Sequence, residues 1–279
     1  MIYLKPEYGL ANRIRVIVSG INLAEALGTS ITIIWDSNAE CNINFKEIFN
    51  EKKIACKVKK FNIFYKLAFY SGSNPAVKYL QGFILKFLKV DFLFTDAHMK
   101  EFVWRYGGDI INIKSLKTKF KNNLAIKSCH EFYFNRDVLI NRLVPTEELQ
   151  RRINNFFRDD CEIIGVHIRR TDNEVSIKKS PLSAFVKRIE LELKKNPDVK
   201  FYLATDSVEV IEDLLHRFGS KIIYEQKLLS RNSPQGIKDA FFDIGVLSKC
   251  NKILGSYWSS FSYIASQYGN IPLEIIVEE

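Results

Sequence analysis

The chain has 279 residues, 47% of them hydrophobic and 26% charged, which excludes a disordered or fibrous protein and leaves room for one large domain or two modest ones. Lys and Arg total 41 against 32 Asp and Glu, a net charge of +9; that excess suits an anionic partner (nucleic acid, an acidic membrane surface or a phosphate-bearing small molecule) and equally serves plain solubility. Cys41, Cys56, Cys129, Cys161 and Cys250 are scattered and lack C-x-x-C spacing, so they read as buried or incidental thiols of a reducing compartment and not as a zinc site.

Taken in chain order, Ile2 to Leu4 predicts a strand, and Gly9 a sharp turn into a helix from Asn12 to Leu27 that stops at Gly28. Met1 to Pro6 lacks the cationic and apolar regions of a signal peptide. Ile31 to Trp35 predicts the next strand. After Asp36 the pattern loosens into short segments rich in Phe, Tyr and Lys as far as about Arg142. Within them, Tyr79 to Phe94 mixes large apolar residues with Lys86 and Lys89. Such a stretch can lie on an anionic membrane; the expectation preferred here is that its apolar face packs on its own domain. Val144-Pro145-Thr146 reads as a hinge, with Thr146 capping a helix from Glu147 to Phe157.

The remainder alternates strand and helix. Ile163 to Ile168 predicts a buried strand; Ser180-Pro181 predicts an N-cap and first helical position, with Phe185, Ile189 and Leu193 at helical spacing. Strands follow at Val199 to Ala204, Lys221 to Tyr224, Lys252 to Leu254 and Leu273 to Val277. Helices are expected at Ser207 to Phe218, after Ser233-Pro234, and from Trp258 to Tyr268. This alternation implies parallel sheets covered on both faces. The expected division is an N-terminal α/β domain, residues 1–143, and a C-terminal Rossmann-like domain, residues 144–279, facing a cleft.

In open parallel sheets ligands bind beyond the carboxyl ends of strands. The strand Ile163 to Ile168 runs directly into Arg169-Arg170-Thr171-Asp172. Two guanidiniums there match the oxygens of a diphosphate; the plainer alternative is a surface turn whose arginines pair with Asp172 and Glu174. His167 could contact a base or ribose. Asp206, in Ala204-Thr205-Asp206-Ser207, lies at a helix start and serves capping at least as readily as ligand contact. Gly255 to Ser262 clusters glycine and serines between a strand and a helix, more serines than a cap needs, which favours an anion nest containing Ser259 and Ser260. Gly9-Leu10-Ala11-Asn12-Arg13 joins a strand to a helix, and Arg13 could face donor phosphates, although Asn12 as a cap explains much of the segment.

In this order these segments resemble the α1,6-fucosyltransferase and nodulation fucosyltransferase group of GDP-fucose-dependent enzymes. The resemblance rests on Gly165-Val166-His167-Ile168-Arg169-Arg170-Thr171-Asp172, with Tyr202 to Asp206, Asp243 to Ser248 and Trp258-Ser259-Ser260 in support. It implies a GT-B-like fold, α/β with two Rossmann-type domains, the acceptor side N-terminal and the sugar nucleotide C-terminal. It further implies that Arg169 and Arg170 hold the diphosphate and stabilise the departing GDP, that His167 and Asp243 read the guanine or its ribose, and that Ser259 or Ser260 takes a phosphate oxygen. Inversion in a single displacement, without metal or other cofactor, is implied too, and no Asp-x-Asp motif is present. Where the α1,6 enzymes carry a glutamate after the arginine segment, this chain has Ile177, so the general base stays open among Asp172, Glu174 and, less simply, Asp36.

The resulting expectation is an inverting cytoplasmic fucosyltransferase acting from GDP-fucose on a glycan hydroxyl, such as a bacterial surface polysaccharide or its precursor. Its partners would be the donor, the acceptor and a peripheral membrane contact, and not nucleic acid. The competing expectations are the same fold with another GDP-sugar, a non-catalytic sugar-nucleotide binder, and a basic nucleotide- or nucleic-acid-binding protein.

Overall fold

The computed structural model describes residues 1–98, 121–133, 142–156 and 162–278. Cys161 and Phe157, the expected end of the helix from Glu147, lie outside them. The chain forms two compact units, Met1–Thr146 and Glu147–Glu279.

In the first unit β1 (Ile2–Pro6), β2 (Ile31–Trp35), β3 (Lys57–Lys60), β4 (Val90–Thr95) and β5 (Asn123–Ser128) form a parallel sheet in the order β3-β2-β1-β5-β4. β1 and β2 are buried along their whole length, as strands covered on both faces must be. Helix α1 (Leu10–Leu27) follows β1, and Gly28 closes it at φ 63°, a left-handed conformation suited to glycine. Between β3 and β4 run α2 (Ile63–Ala68) and α3 (Pro75–Phe87), each capped by an asparagine, Asn62 and Asn74. Tyr65, Ala68, Phe69 and Ile84 bring them onto Tyr3, Ile34 and Ala125 of the sheet. The segment expected as a hinge is tied into this unit: Asn50 donates to the Val144 carbonyl and Thr146 to that of Ile48, both at 2.8 Å.

The second unit opens with α4 (Glu147–Asn154) and continues through β6 (Ile163–Ile168), α5 (Glu174–Lys179), α6 (Leu182–Lys195), β7 (Lys200–Thr205), α7 (Val208–Phe218), β8 (Ile222–Ile223), α8 (Pro234–Leu247), β9 (Lys252–Ser256), α9 (Ser260–Gly269) and β10 (Leu273–Ile276). Its strands are parallel in the order β10-β9-β6-β7-β8. Counted from β6, this is 5-4-1-2-3, with the reversal between β6 and β9. Side chains alternate along β6: Ile164, Val166 and Ile168 join Phe185, Ile189, Val210 and Leu214 in one core. On the other face Gly165 lies under α8, where an added Cβ would meet Leu247 Cδ2 at 2.7 Å. Helices therefore cover both faces, as expected of this half.

Two capping assignments change. Ser180 does not start a helix; Pro181 is the N-cap of α6, without a side-chain bond. Ser180 is fully buried at the end of α5, donating from Oγ to the Ile276 carbonyl at 2.5 Å and accepting from Tyr257 N–H at 2.7 Å. α1 starts at Leu10 with Gly9 as N-cap at φ −67°, so Asn12 is an ordinary residue of its first turn and caps nothing. Among the described residues no helix is long and apolar enough to cross a membrane.

Candidate functional site

The strand order reverses between β6 and β9, and the carboxyl ends of strands at such a reversal are where α/β sheets bind ligands. Arg169 and Arg170 stand there because two neighbouring strands hold their backbone. Arg169 N–H donates to Ser256 Oγ at the end of β9, at 3.0 Å, and Arg170 N–H to Asp206 Oδ1 just past β7, at 2.7 Å. Asp206 also accepts from the Thr171 hydroxyl at 2.7 Å. Asp206 thus fixes the arginine turn with its carboxylate, and the capping expected at this helix start falls to its neighbour. Ser207 is the N-cap of α7, accepting from Val210 N–H.

The guanidiniums are disposed differently. Arg169 makes a two-pronged pair with Asp172, 2.7 Å from Nε to Oδ1 and 2.9 Å from Nη2 to Oδ2. The same Oδ2 accepts from Arg231 Nη1 at 2.6 Å. With hydrogen bonds from Arg169 first among the causes, and Arg231 adding to them, the Asp172 carboxyl is held well below the usual carboxylate range. Arg170 turns instead to backbone carbonyls, donating to Ser180 O at 2.8 Å and Arg169 O at 3.3 Å. Burial lowers its pKa, and Asp206 opposes the shift.

Arg231 is the residue that sequence reasoning missed. It lies on the loop between β8 and α8, outside any motif, but the loop is firmly placed. Asp239 and Asp243, one helical turn apart on α8, hold it from below. Leu228 N–H donates to Asp239 Oδ2 at 3.2 Å; Lys227 Nζ and the Tyr202 hydroxyl both donate to Asp243 Oδ1. Arg152 of α4 adds bonds to Asp239 at 2.6 Å and Glu225 at 2.5 Å and lies 4.0 Å over the Phe242 ring. The acidic pair on α8 was the available signal, since a buried acid needs a cation. Asp243 is only 6% exposed; burial pushes its carboxyl up, and Lys227 pulls it back. Its Oδ2 accepts nothing from the described residues.

His167 points to the face opposite the Ile164 core. Its ring stacks on Phe261 of α9, centroids 4.7 Å apart and planes 15° apart. Burial pulls its pKa down to about 4, ahead of the opposing effect of Asp206, so the imidazole is neutral near pH 7. Nδ1 is buried and has no hydrogen-bond partner. Three of the serines between Ser256 and Ser262 have structural duties. Ser256 links Arg169 to the His167 carbonyl, Ser259 caps α9 through Phe261 N–H, and Ser262 donates to Ser259 O. Ser260 is the first residue of α9 and is half-buried. Gly255 is required by close packing, because a Cβ there would meet Ser262 Oγ at 2.7 Å. Trp258 is 71% exposed at φ 53°, a left-handed conformation unusual for a bulky residue.

Of the proposed bases, Glu174 opens α5 and is exposed, and Asn173 before it caps that helix. Ile177 is half-buried in the same helix.

Gly9 and Arg13 belong to the first unit. Arg13 is fully buried: Nε donates to Tyr8 O at 2.6 Å, Nη1 to Asp36 O and Nη2 to Asn38 Oδ1 at 2.9 Å. It staples the loops after β1 and β2 and is not presented to a phosphate. Gly9, at an ordinary φ and with only Glu40 O near an added Cβ, at 3.9 Å, is not needed for a sharp turn. Asp36 carries an Asn38 bond at 3.3 Å and a Lys5 contact at 3.7 Å.

Among the described residues one trio, Asp96, Cys129 and His130, brings potential metal-ligating atoms within 4.8 Å of one another. Asp96 there accepts from Ser128 Oγ and Cys129 N–H, Arg15 lies 3.5 Å from His130 Nδ1, and burial pushes the Cys129 thiol up to about 12. A protonated thiol beside a guanidinium is a poor cation site.

No family model and no curated protein matches the chain. Solved structures do. NodZ alpha-1,6-fucosyltransferase, from Bradyrhizobium, soaked with GDP-fucose, aligns over 96% of this chain and 92% of its own at 17% identity and TM-score 0.62. A variant of Arabidopsis thaliana FUT1 in complex with GDP aligns over 98% of this chain and 69% of its own, at 16% identity and TM-score 0.58. POFUT1 in complex with GDP aligns over 99% and 98%, at 11% identity and TM-score 0.56. At these identities the likeness establishes the fold alone: two parallel-sheet α/β units of the GT-B type, as in these solved structures.

Proposed function

We propose that this chain is an inverting fucosyltransferase that takes fucose from GDP-fucose to a hydroxyl of a glycan, with the nucleotide held at the β6–β9 reversal of the second unit. The observation that carries the reading is the arginine turn, pinned between Ser256 and Asp206 at the point where the strand order reverses. In support, the structurally similar NodZ, FUT1 and POFUT1 were solved with GDP or GDP-fucose.

Arg169 and Arg170 stabilise the charge that develops on the leaving diphosphate. Arg231 is a third cation for the same oxygens. Asp172 pairs with Arg169 and Arg231, and diphosphate oxygens compete with its carboxylate for both. Asp243 Oδ2 accepts from the guanine N–H edge, and His167 contributes a neutral ring beside it. Ser259 and Ser260 offer the first turn of α9 to a phosphate oxygen. Asp172, so weakly basic, is a poor proton acceptor, and Glu174 is the general base for the acceptor hydroxyl. The acceptor is a surface polysaccharide or its precursor in the cytoplasm, and no metal takes part.

A thermal-denaturation screen against GDP, UDP, CMP and ADP tests this reading. GDP should stabilise the full chain, by about 2.7 kcal/mol at a hundredfold excess over Kd, and Arg170→Ala should remove most of that. Stabilisation by UDP and not by GDP would sink the fucosyl assignment.

A further inference from the structure

The helix α3 has two apolar faces. Ile84, Leu85 and Leu88 turn toward the sheet. A quarter-turn or more away, Tyr79, Leu80, Phe83 and Phe87 are 71%, 45%, 58% and 78% exposed. They lie in a strip along one side of the helix at i, i+4 spacing: the Tyr79 and Phe83 rings pack edge to face at 5.0 Å, and Phe87 meets Phe64 of α2 at 6.2 Å. Ile63, next to Phe64, extends the strip at 70% exposure. Packing on the same domain, the role preferred for this stretch from sequence, accounts for the inner face only. An amphipathic helix ordinarily buries one stripe and wets the rest; a contiguous exposed apolar surface marks a contact with something else.

Charge decides among the occupants. Every charged side chain from Lys52 to Lys89 is a lysine, and Lys66, Lys78, Lys86 and Lys89 border the strip, all of them exposed. A second copy of this chain would bring lysines against lysines. A surface that is anionic outside and apolar just beneath meets both features at once. We infer that the outer face of α3 with the start of α2 docks on an anionic lipid bilayer, its rings at the boundary of headgroups and acyl chains and its lysines against lipid phosphates. This surface belongs to the first unit and is argued without the nucleotide site, so the two readings stand or fall separately.

The test is co-sedimentation of the full chain with vesicles containing about one-third phosphatidylglycerol in phosphatidylcholine, compared with phosphatidylcholine alone. Binding should need the anionic lipid and weaken in high salt. The double substitution Phe83→Ser, Phe87→Ser should lower the partition coefficient by roughly tenfold or more, given two large rings withdrawn from the interface. Because both rings are exposed, the same variant should keep the melting temperature and GDP response of the parent. Replacing Lys66, Lys78, Lys86 and Lys89 with Gln should remove the salt dependence. Absence of binding to the anionic vesicles, or binding indifferent to Phe83→Ser, Phe87→Ser, overturns the inference. So does a dimer in sedimentation velocity that the same substitutions dissolve, which would assign the strip to a second copy.

Discussion

Asp172 and Asp206 are close in space and opposite in use. Asp206 accepts backbone N–H and a hydroxyl, so it builds the turn; Asp172 accepts from two guanidiniums, so it neutralises the turn. A carboxylate so held has little basicity left, and the base is assigned to Glu174 for that reason. Glu174→Gln should therefore lower kcat for transfer by 10²-fold or more while leaving the Kd of GDP within about twofold, measured by steady-state kinetics and calorimetry. Equal losses in both would make Glu174 a binding residue. His167 supplies a pH signature. Its folded pKa of about 4 lies below the unfolded value of 6.5, so between those values the unfolded chain binds a proton that the folded chain does not. The His167 contribution to stability must then fall as pH drops through that window, by about 3 kcal/mol in total, and level off below pH 4. Urea unfolding of wild type and His167→Gln between pH 4 and 7 should show the slope reduced in the variant; parallel curves would mean that His167 is protonated in the fold. The octapeptide Gly165 to Asp172 was legible in the sequence because it is contiguous and leaves a buried strand. Arg231 was not, because its partner Asp172 is distant along the chain and only the fold brings them together.

Among the elements, the loop between β8 and α8 governs the site more than its sequence suggests. Lys227 and Leu228 fasten it to Asp243 and Asp239, and Gly236 lets it lie against the first turn of α8. A Cβ at Gly236 would stand 1.9 Å from the Ser230 carbonyl oxygen, a backbone atom that cannot step aside alone. Gly236→Ala should push the loop outward and detach Arg231 from Asp172, weakening GDP binding by roughly tenfold, the scale of one charged hydrogen bond, and costing about 1–3 kcal/mol in denaturant unfolding. An unchanged GDP affinity in a folded Gly236→Ala protein would show that the loop does not serve the site. Helix ends divide the same way in legibility. Ser207 and Ser233 cap α7 and α8 as their positions imply, since capping is local. Ser180 carries the same local signal before a proline, yet its hydroxyl joins β10 to the loop after β9. A tertiary bond there outweighed a local one.

Over the whole molecule, the second unit was readable because its interior strands β6, β7 and β9 are buried almost throughout and give mostly apolar runs. The first unit was readable only through β2. β3 is an edge strand of exposed lysines around the half-buried Val58, and β4, at the other edge, is half-exposed. Neither offers the apolar run that marks an interior strand. The lysines that blur the pattern there also contribute to the net charge of +9. That charge does not require nucleic acid as a partner: Arg169, Arg170 and Arg231 meet at one turn of the second unit, and Lys66, Lys78, Lys86 and Lys89 border an apolar strip in the first.

In the proposed function the turn Arg169-Arg170, with Arg231, is a clamp for guanosine diphosphate. Isothermal titration of the full chain with GDP and GMP, repeated on Arg170→Ala, tests it most directly. GDP should bind at least tenfold more tightly than GMP, since the second phosphate engages charged donors worth about 1.5–3 kcal/mol, and Arg170→Ala should erase most of that difference. Equal affinities for GDP and GMP in the wild type, or a GDP preference untouched by Arg170→Ala, would contradict it.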